Sequence, residues 1–288
     1  MFINLRHWFA SMVEDWRAFL KQNGYVGKVI GFRELKVVMG ERKPPFSEEQ
    51  LQLVEQRWVA FKEKNPSAYS RNVLAVNDIS VDLQNGSVVV NSYKTEWRVY
   101  RMLNEDPGEN DRVWIAGSAG LTYVVENGER IFVFGERTRN TMPVGGDVES
   151  LPSGSVEVAE KVIYENHFSS AFLREANEEI GVAEKDVFIL QYLGLGRVRK
   201  WDRLYQDFHV DFLAELRGLS WGDVEATFKE NVVRKMDEKK SLEHKRIIPV
   251  RESELSSFIE SQNDHIGIRA RLTIDSFLEL GLWCGAKP

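Results

Sequence analysis

The chain of 288 residues contains a single cysteine, Cys284, which excludes an internal disulfide and any zinc site built from cysteines. It has no surplus of positive charge. Its 38 Lys and Arg stand against 44 Asp and Glu, a net charge of −6. A protein that grips nucleic acid by its phosphates carries the opposite balance. No apolar run is long enough to cross a bilayer. At the N-terminus Phe2, Ile3, Leu5, Trp8, Phe9, Met12 and Val13 are interrupted by Arg6, His7, Glu14, Asp15 and Arg17. That is a helical period, unlike the unbroken apolar core of a signal peptide. Internal repeats and low-complexity tracts are also missing. Together these absences predict a cytoplasmic protein with neither nucleic acid nor membrane among its partners.

What is present is ordinary globular material. Hydrophobic residues make up 43% and charged residues 28%, and the aromatics are spread along the chain, enough for a sizeable core. The pattern predicts helices over 2–22 and 47–64. In the second, Ser47 caps the start, Glu48, Glu49 and Gln50 fill the first turn, and Asn65-Pro66 stops it. Two hairpins follow, Val73–Asp82 with Ser87–Tyr93, and Trp114–Glu126 with Arg130–Gly135. They turn at Asn85-Gly86 and Asn127-Gly128. Between them the acidic, Pro-Gly-containing stretch Glu105–Asp111 reads as a linker. A helix ending near Gly181, strands near Val187–Gly194 and Leu204–Leu216, a charged loop over 218–244, a strand over Ile247–Val250 and closing helices from Ser253 complete an α/β pattern with a mixed sheet.

The segment that carries chemistry is Arg174-Glu-Ala-Asn-Glu-Glu-Ile-Gly-Val182. On a helix, Glu175, Glu178 and Glu179 are three and four residues apart and share a face. Carboxylates that close repel. A hard divalent cation, held by a few carboxylates and substrate phosphates, would resolve the conflict. Arg174 is one turn from Glu178 and can pair with it, and Gly181 ends the helix. A solvated acidic helix end is the competing reading.

The flanking residues resemble the Nudix hydrolases, whose motif is G-x5-E-x7-R-E-U-x-E-E-x-G-U with U aliphatic. Arg174–Val182 fits every fixed position of its second half. Pro143-Val-Gly-Gly146 resembles the Pro-Gly-Gly that opens it. The first half departs: Gly146 to Arg174 spans 28 positions where the motif has 14, which suggests an insertion over Glu149–Ala159, and Asn166 stands at the early glutamate position. The resemblance implies a Nudix-type α/β/α sandwich with a mixed sheet over 109–288, preceded by a smaller α+β domain over 1–108. It implies Glu175, Glu178 and Glu179 as ligands of Mg²⁺ or Mn²⁺ and Arg174 as the residue orienting them. Gly145 and Gly146 would be the substrate-approach loop. Glu243, with Glu238 second, would be the proton acceptor ahead of a late strand.

Three shorter matches, Trp58–Pro66, Ser92-Tyr93-Lys94 and Phe168-Ser-Ser170, resemble the UDP-glucose/UDP-galactose diphosphatase-like branch. That implies hydrolysis of a UDP-sugar to UMP and a sugar 1-phosphate, with Tyr93, Trp97 and Arg98 as candidates to reach the cleft. Hydrolysis of ADP-ribose or a dinucleotide, and a non-catalytic nucleotide-binding module, are the alternatives. The partner is a small nucleotide, with a homodimer left open. His7, His167, His209, His244 and His265 show no metal-ligand spacing and read as surface or core residues. Gly194-Leu-Gly196 lacks the third glycine of a dinucleotide loop. Ser153-Gly-Ser155 lacks the context of a nucleophile elbow.

Overall fold

The computed structural model describes residues 25–282 except 44, 67, 83, 105–112, 139–147, 159–165, 200–205, 239, 241 and 263–264. The expected helix over 2–22, the acidic linker and Cys284 lie outside the described residues. In chain order the first half holds β1 (Tyr25–Ile30), β2 (Glu34–Gly40), α1 (Glu48–Lys64), β3 (Asn72–Asp82), β4 (Ser87–Glu96), α2 (Trp97–Leu103), β5 (Trp114–Glu126) and β6 (Glu129–Arg137). The second holds β7 (Val148–Ser150), β8 (Ser153–Ser155), α3 (His167–Glu175), β9 (Val187–Arg199), β10 (Gln206–Leu216), α4 (Trp221–Asp237), β11 (His244–Arg251), α5 (Leu255–Ser261) and α6 (Ile268–Glu279).

Local chemistry sets the ends of these elements. The Ser47 hydroxyl accepts from the Gln50 N–H and the Gln50 side chain accepts from the Ser47 N–H, a reciprocal cap that starts α1. Both Asn-Gly pairs form their turns, and Asn127 and Gly128 take the positive φ that such a hairpin requires. The strands described here form one hydrogen-bonded network, ordered β1-β9-β10-β5-β3-β4-β2 along its main path. β5 is central. One edge pairs parallel with β10 along nine residues, Ile115–Tyr123. The other edge is shared in turn by β3, β8 and β6.

Helices cover both faces. Phe168 and Phe172 of α3 and Val224 and Phe228 of α4 pack with Phe208 and Phe212 of β10 in one core. On the opposite face α5 and α6 meet Leu121, Phe132 and Phe134. The layers are therefore α/β/α about a mixed sheet. The N-terminal strands belong to the same network, and Phe32, Leu35, Leu74, Val76, Val88 and Val90 share the first core. A third cluster, with Trp58, Tyr93 and Tyr100, lies beneath α1 and α2. No helix among the described residues is long and apolar enough to cross a membrane.

The structure corrects one sequence expectation. The charged loop expected over 218–244 is mostly the helix α4. The Ser220 hydroxyl accepts from the Asp223 N–H and the Asp223 carboxylate accepts from the Ser220 N–H, while Val224 and Phe228, four apart, are buried. Dense charge on the solvent side obscured that stripe. Within the expected insertion over Glu149–Ala159, residues 149–150 and 153–155 lie in strands. β7 pairs with β6 and β8 with β5.

Replacing Ser220 by Ala removes the α4 cap and should lower unfolding free energy by about 1 kcal/mol in a urea titration. An unchanged midpoint would show that the cap contributes nothing.

Candidate active site

Asn166 begins α3. Its side-chain oxygen accepts from the Phe168 and Ser169 N–H groups at 2.9 and 3.1 Å, so the residue at the motif's early glutamate position serves as a cap. Phe168, Ala171, Phe172 and Leu173 bury the inner face. At Ala176 the helix widens into a single π turn, Ala176–Ile180. Gly181 closes it with φ +91°, its N–H bonding Ala176 O at 3.1 Å. From α4, Asn231 donates to the carbonyls of Glu178 and Glu179 at 2.9 and 3.4 Å. The three glutamates consequently do not share one exposure. Glu175 and Glu179 are buried at 5% and 4%, whereas the Glu178 side chain is 50% exposed.

The buried pair rests on β8. The Ser153 N–H donates to Glu179 Oε2 at 2.8 Å, and Arg174 donates to Ser155 O at 3.0 Å. Between them, a Cβ on Gly154 would lie 2.0 Å from Glu175 Oε1, so only glycine lets that carboxylate lie against the strand. Arg174 also reaches Glu175 at 2.6 Å, Glu178 at 2.9 Å and Glu157 at 3.7 Å. Beyond β8 the chain continues beside β3, where Leu74 N–H donates to Val156 O and Val158 N–H to Asn72 O. Arg71 pairs with Glu157.

Burial pushes the Glu175 carboxyl up to about 7; Arg174 opposes this, and Glu178 and Glu243 add to it. Glu179 is driven well above the carboxylate range by burial and by the charges of Glu243 and Glu175, against the pull of the Ser153 N–H and Arg137. On this flank Arg137 binds both oxygens of Glu149, at 2.9 and 2.8 Å, and lies 3.6 Å from Glu243. His244 is buried, with Nδ1 3.8 Å from Glu179 Oε1. Burial pushes its pKa down to about 4, so the ring is neutral. Among the described residues, Glu179 Oε1 and both His244 ring nitrogens have no hydrogen-bond partner. A small pocket between α4 and β11 is lined by Glu179, Asn231, Lys235, Glu243 and His244, among others.

Of the residues singled out in the sequence, Arg174, Glu175, Glu178 and Glu179 adjoin one another, and Glu243 lies close enough for its charge to act on Glu175 and Glu179. Glu238 instead ends α4 and pairs with Lys240 at 2.7 Å. Gly145 and Gly146 lie outside the described residues. Tyr93 and Trp97 pack in the cluster around Trp58, and Arg98 is paired with Glu96 and Glu55. Sequence reading passed over Gly154, Asn231 and His244. Gly154 did leave a signal: it follows Pro152-Ser153 and precedes Arg174 by 20 positions, much nearer the motif's 14 than Gly146 is.

Oxygen donors dominate the site, which suits Mg²⁺ or Mn²⁺. Among the described residues no three His, Cys, Asp or Glu side chains already surround one point. Mg²⁺ does not require that, since it commonly takes one or two carboxylates and completes its shell with water and substrate phosphates. The unpartnered Glu179 oxygen beside a second buried carboxylate fits such an ion.

No protein-family model matches the chain, and no curated protein matches it significantly. Among solved structures, an Ap4A hydrolase from C. elegans is 15% identical over 58% of this chain and 98% of its own, with a TM-score of 0.38. A MutT protein from Methanosarcina mazei is 16% identical over 58% and 95%, TM-score 0.39. The NUDIX domain of Shewanella oneidensis NrtR, complexed with ADP ribose, is 11% identical over 62% and 95%, TM-score 0.37.

Two outcomes are expected. Between the ordinary carboxylate range and about 7 the folded chain keeps a proton on Glu175 that the unfolded chain has lost. Stability from this group is therefore fully present below that range and falls as pH rises through it. His244, kept neutral with its pKa pushed down to about 4, contributes with the opposite sign over the same interval, so the comparison is with Glu175→Gln: between about pH 5 and about pH 8 the chelator-treated wild type should lose more melting temperature than this variant, and Mg²⁺ should restore more at the higher pH. An equal change in the two proteins would contradict the assignment. Separately, Gly154→Ala should displace the Glu175 carboxylate, lowering the melting temperature and weakening Mn²⁺ binding by at least about tenfold in calorimetry. Unchanged binding would show that the contact with Gly154 does not position the carboxylate.

Proposed function

We propose that this chain is a Nudix-type hydrolase that cleaves the diphosphate bond of a nucleoside diphosphate derivative. UDP-sugars, yielding UMP and a sugar 1-phosphate, are the proposed substrates. One observation carries the chemistry: Glu175 and Glu179, four residues apart at a widened turn, are both buried, and among the described residues Glu179 keeps an oxygen without a partner. The narrower substrate is supported by the short sequence matches around Trp58, Tyr93 and Phe168.

Glu175, Glu178 and Glu179 would hold the cation. When bound, it supplies charge neutralisation of the diphosphate and acidifies a water for attack at phosphorus. The remaining work falls to the chain. Arg174 ties Glu175 and Glu178 to the Ser155 carbonyl and so fixes the direction of both carboxylates. The Ser153 N–H holds one oxygen of Glu179 and leaves the other free to bind. Glu243, with a side chain 43% exposed, stands at the rim, where it can receive the proton of the attacking water.

Incubation with Mg²⁺ and UDP-glucose, ADP-ribose or a dinucleotide, followed by product analysis, tests this. UMP from UDP-glucose, abolished by chelator and reduced at least about a hundredfold by Glu175→Gln, is the expected result. AMP from ADP-ribose instead would discard UDP-sugars and keep the reaction. Full turnover with Glu175→Gln would remove this turn from the mechanism.

A further inference from the structure

β2 ends the main path of the sheet. It pairs parallel with β4 on one side, and among the described residues no strand pairs with its other edge. One hydrogen bond gives the direction of that edge. The Glu34 N–H donates toward β4, to Gly86 O at 3.2 Å. Backbone groups alternate along a strand, so Leu35, Val37 and Met39 turn theirs outward. Apolar side chains follow the same edge with rising exposure: Leu35 is 7% exposed, Val38 38% and Met39 41%. An open edge of this kind is a template for pairing with another chain.

Charge selects the partner. Arg33 and Glu41 flank the strand symmetrically about Val37. Both are exposed, and among the described residues neither is ion-paired. When two copies of β2 pair antiparallel about Val37, the whole strand overlaps and Leu35 of each copy faces Met39 of the other. Arg33 then faces Glu41, twice by symmetry. The three outward-turned residues make about six hydrogen bonds between the chains. A register centred on Lys36 sets that lysine against itself, and one centred on Val38 sets Arg33 against Lys43. Like charges directly opposite are destabilising, so Val37 is the preferred centre.

We propose that this chain forms a twofold homodimer by antiparallel pairing of β2 about Val37, which continues the sheet of one copy into the other. The surface owes nothing to the glutamate turn, and its failure would leave the proposed hydrolysis untouched. A seam of one strand pair is small beside a standard interface, so the dimer should dissociate on dilution.

The test is analytical ultracentrifugation of the full chain across a wide concentration range. Wild-type protein is expected to pass from monomer to dimer as concentration rises. Arg33→Glu and Glu41→Arg each set like charges opposite one another at both ends of the seam, and each should weaken the dimer at least about tenfold. Mixed in equal amounts, the two variants restore opposite charges at both ends, and the pair should recover close to wild-type affinity. Both side chains are exposed, so neither change threatens the fold. A wild type that stays monomeric at every concentration overturns the proposal. So does a dimer that tolerates both single changes, and so do two weakened variants that fail to recover on mixing.

Discussion

The structure depends on the docking of one helical turn against the backbone of a three-residue strand. Glu175 lies where Gly154 has no side chain, Glu179 accepts from the Ser153 N–H, and Arg174 donates to the Ser155 carbonyl. All three contacts run through main chain or through a missing Cβ. They fix carboxylate positions more firmly than paired flexible side chains would, because the strand is itself held in the sheet on β5. The π turn then makes geometric sense. It lets Glu175 and Glu179 both face the strand while Glu178 stays exposed and paired with Arg174.

The docking brings an electrostatic conflict. Two carboxylates are taken out of water on one turn, with Glu243 near enough to repel both. Arg174 relieves Glu175, but Arg137 is largely committed to Glu149. A fold selected for stability alone would replace such a pair with apolar side chains. Strain of this kind, retained in an otherwise well-packed core, is characteristic of sites that complete themselves with a ligand.

Much of this was legible in the sequence. The two Asn-Gly hairpins and the Ser47 cap announced themselves through local chemistry that tertiary packing had no reason to override. The glutamate turn was visible because its residues are contiguous. What stayed hidden was what long-range contact decides. α4 looked like a charged loop because its buried stripe is thin against its solvated face. Gly154 left only its spacing to Arg174 and His244 left no local signature; their meaning comes from Glu175 and Glu179, which reach them only through the fold. The glycine pair at 145–146 drew attention through its likeness to a motif, while Gly154, between two serines, was weighed only as part of a nucleophile elbow.

The course of the chain past β8 has a consequence of another kind. Residues 156 and 158 hydrogen-bond to Leu74 and Asn72, and Glu157 is paired with Arg71 while lying within 3.7 Å of Arg174. The stretch over residues 71–74 is thus masonry for the glutamate centre, a buttress that keeps its wall upright. Variation around residues 71–74, remote from every carboxylate in sequence, would be transmitted to that centre through the wall it shares. A shortened chain without β3 would keep every glutamate of the turn and lose the backing of the wall they rest on.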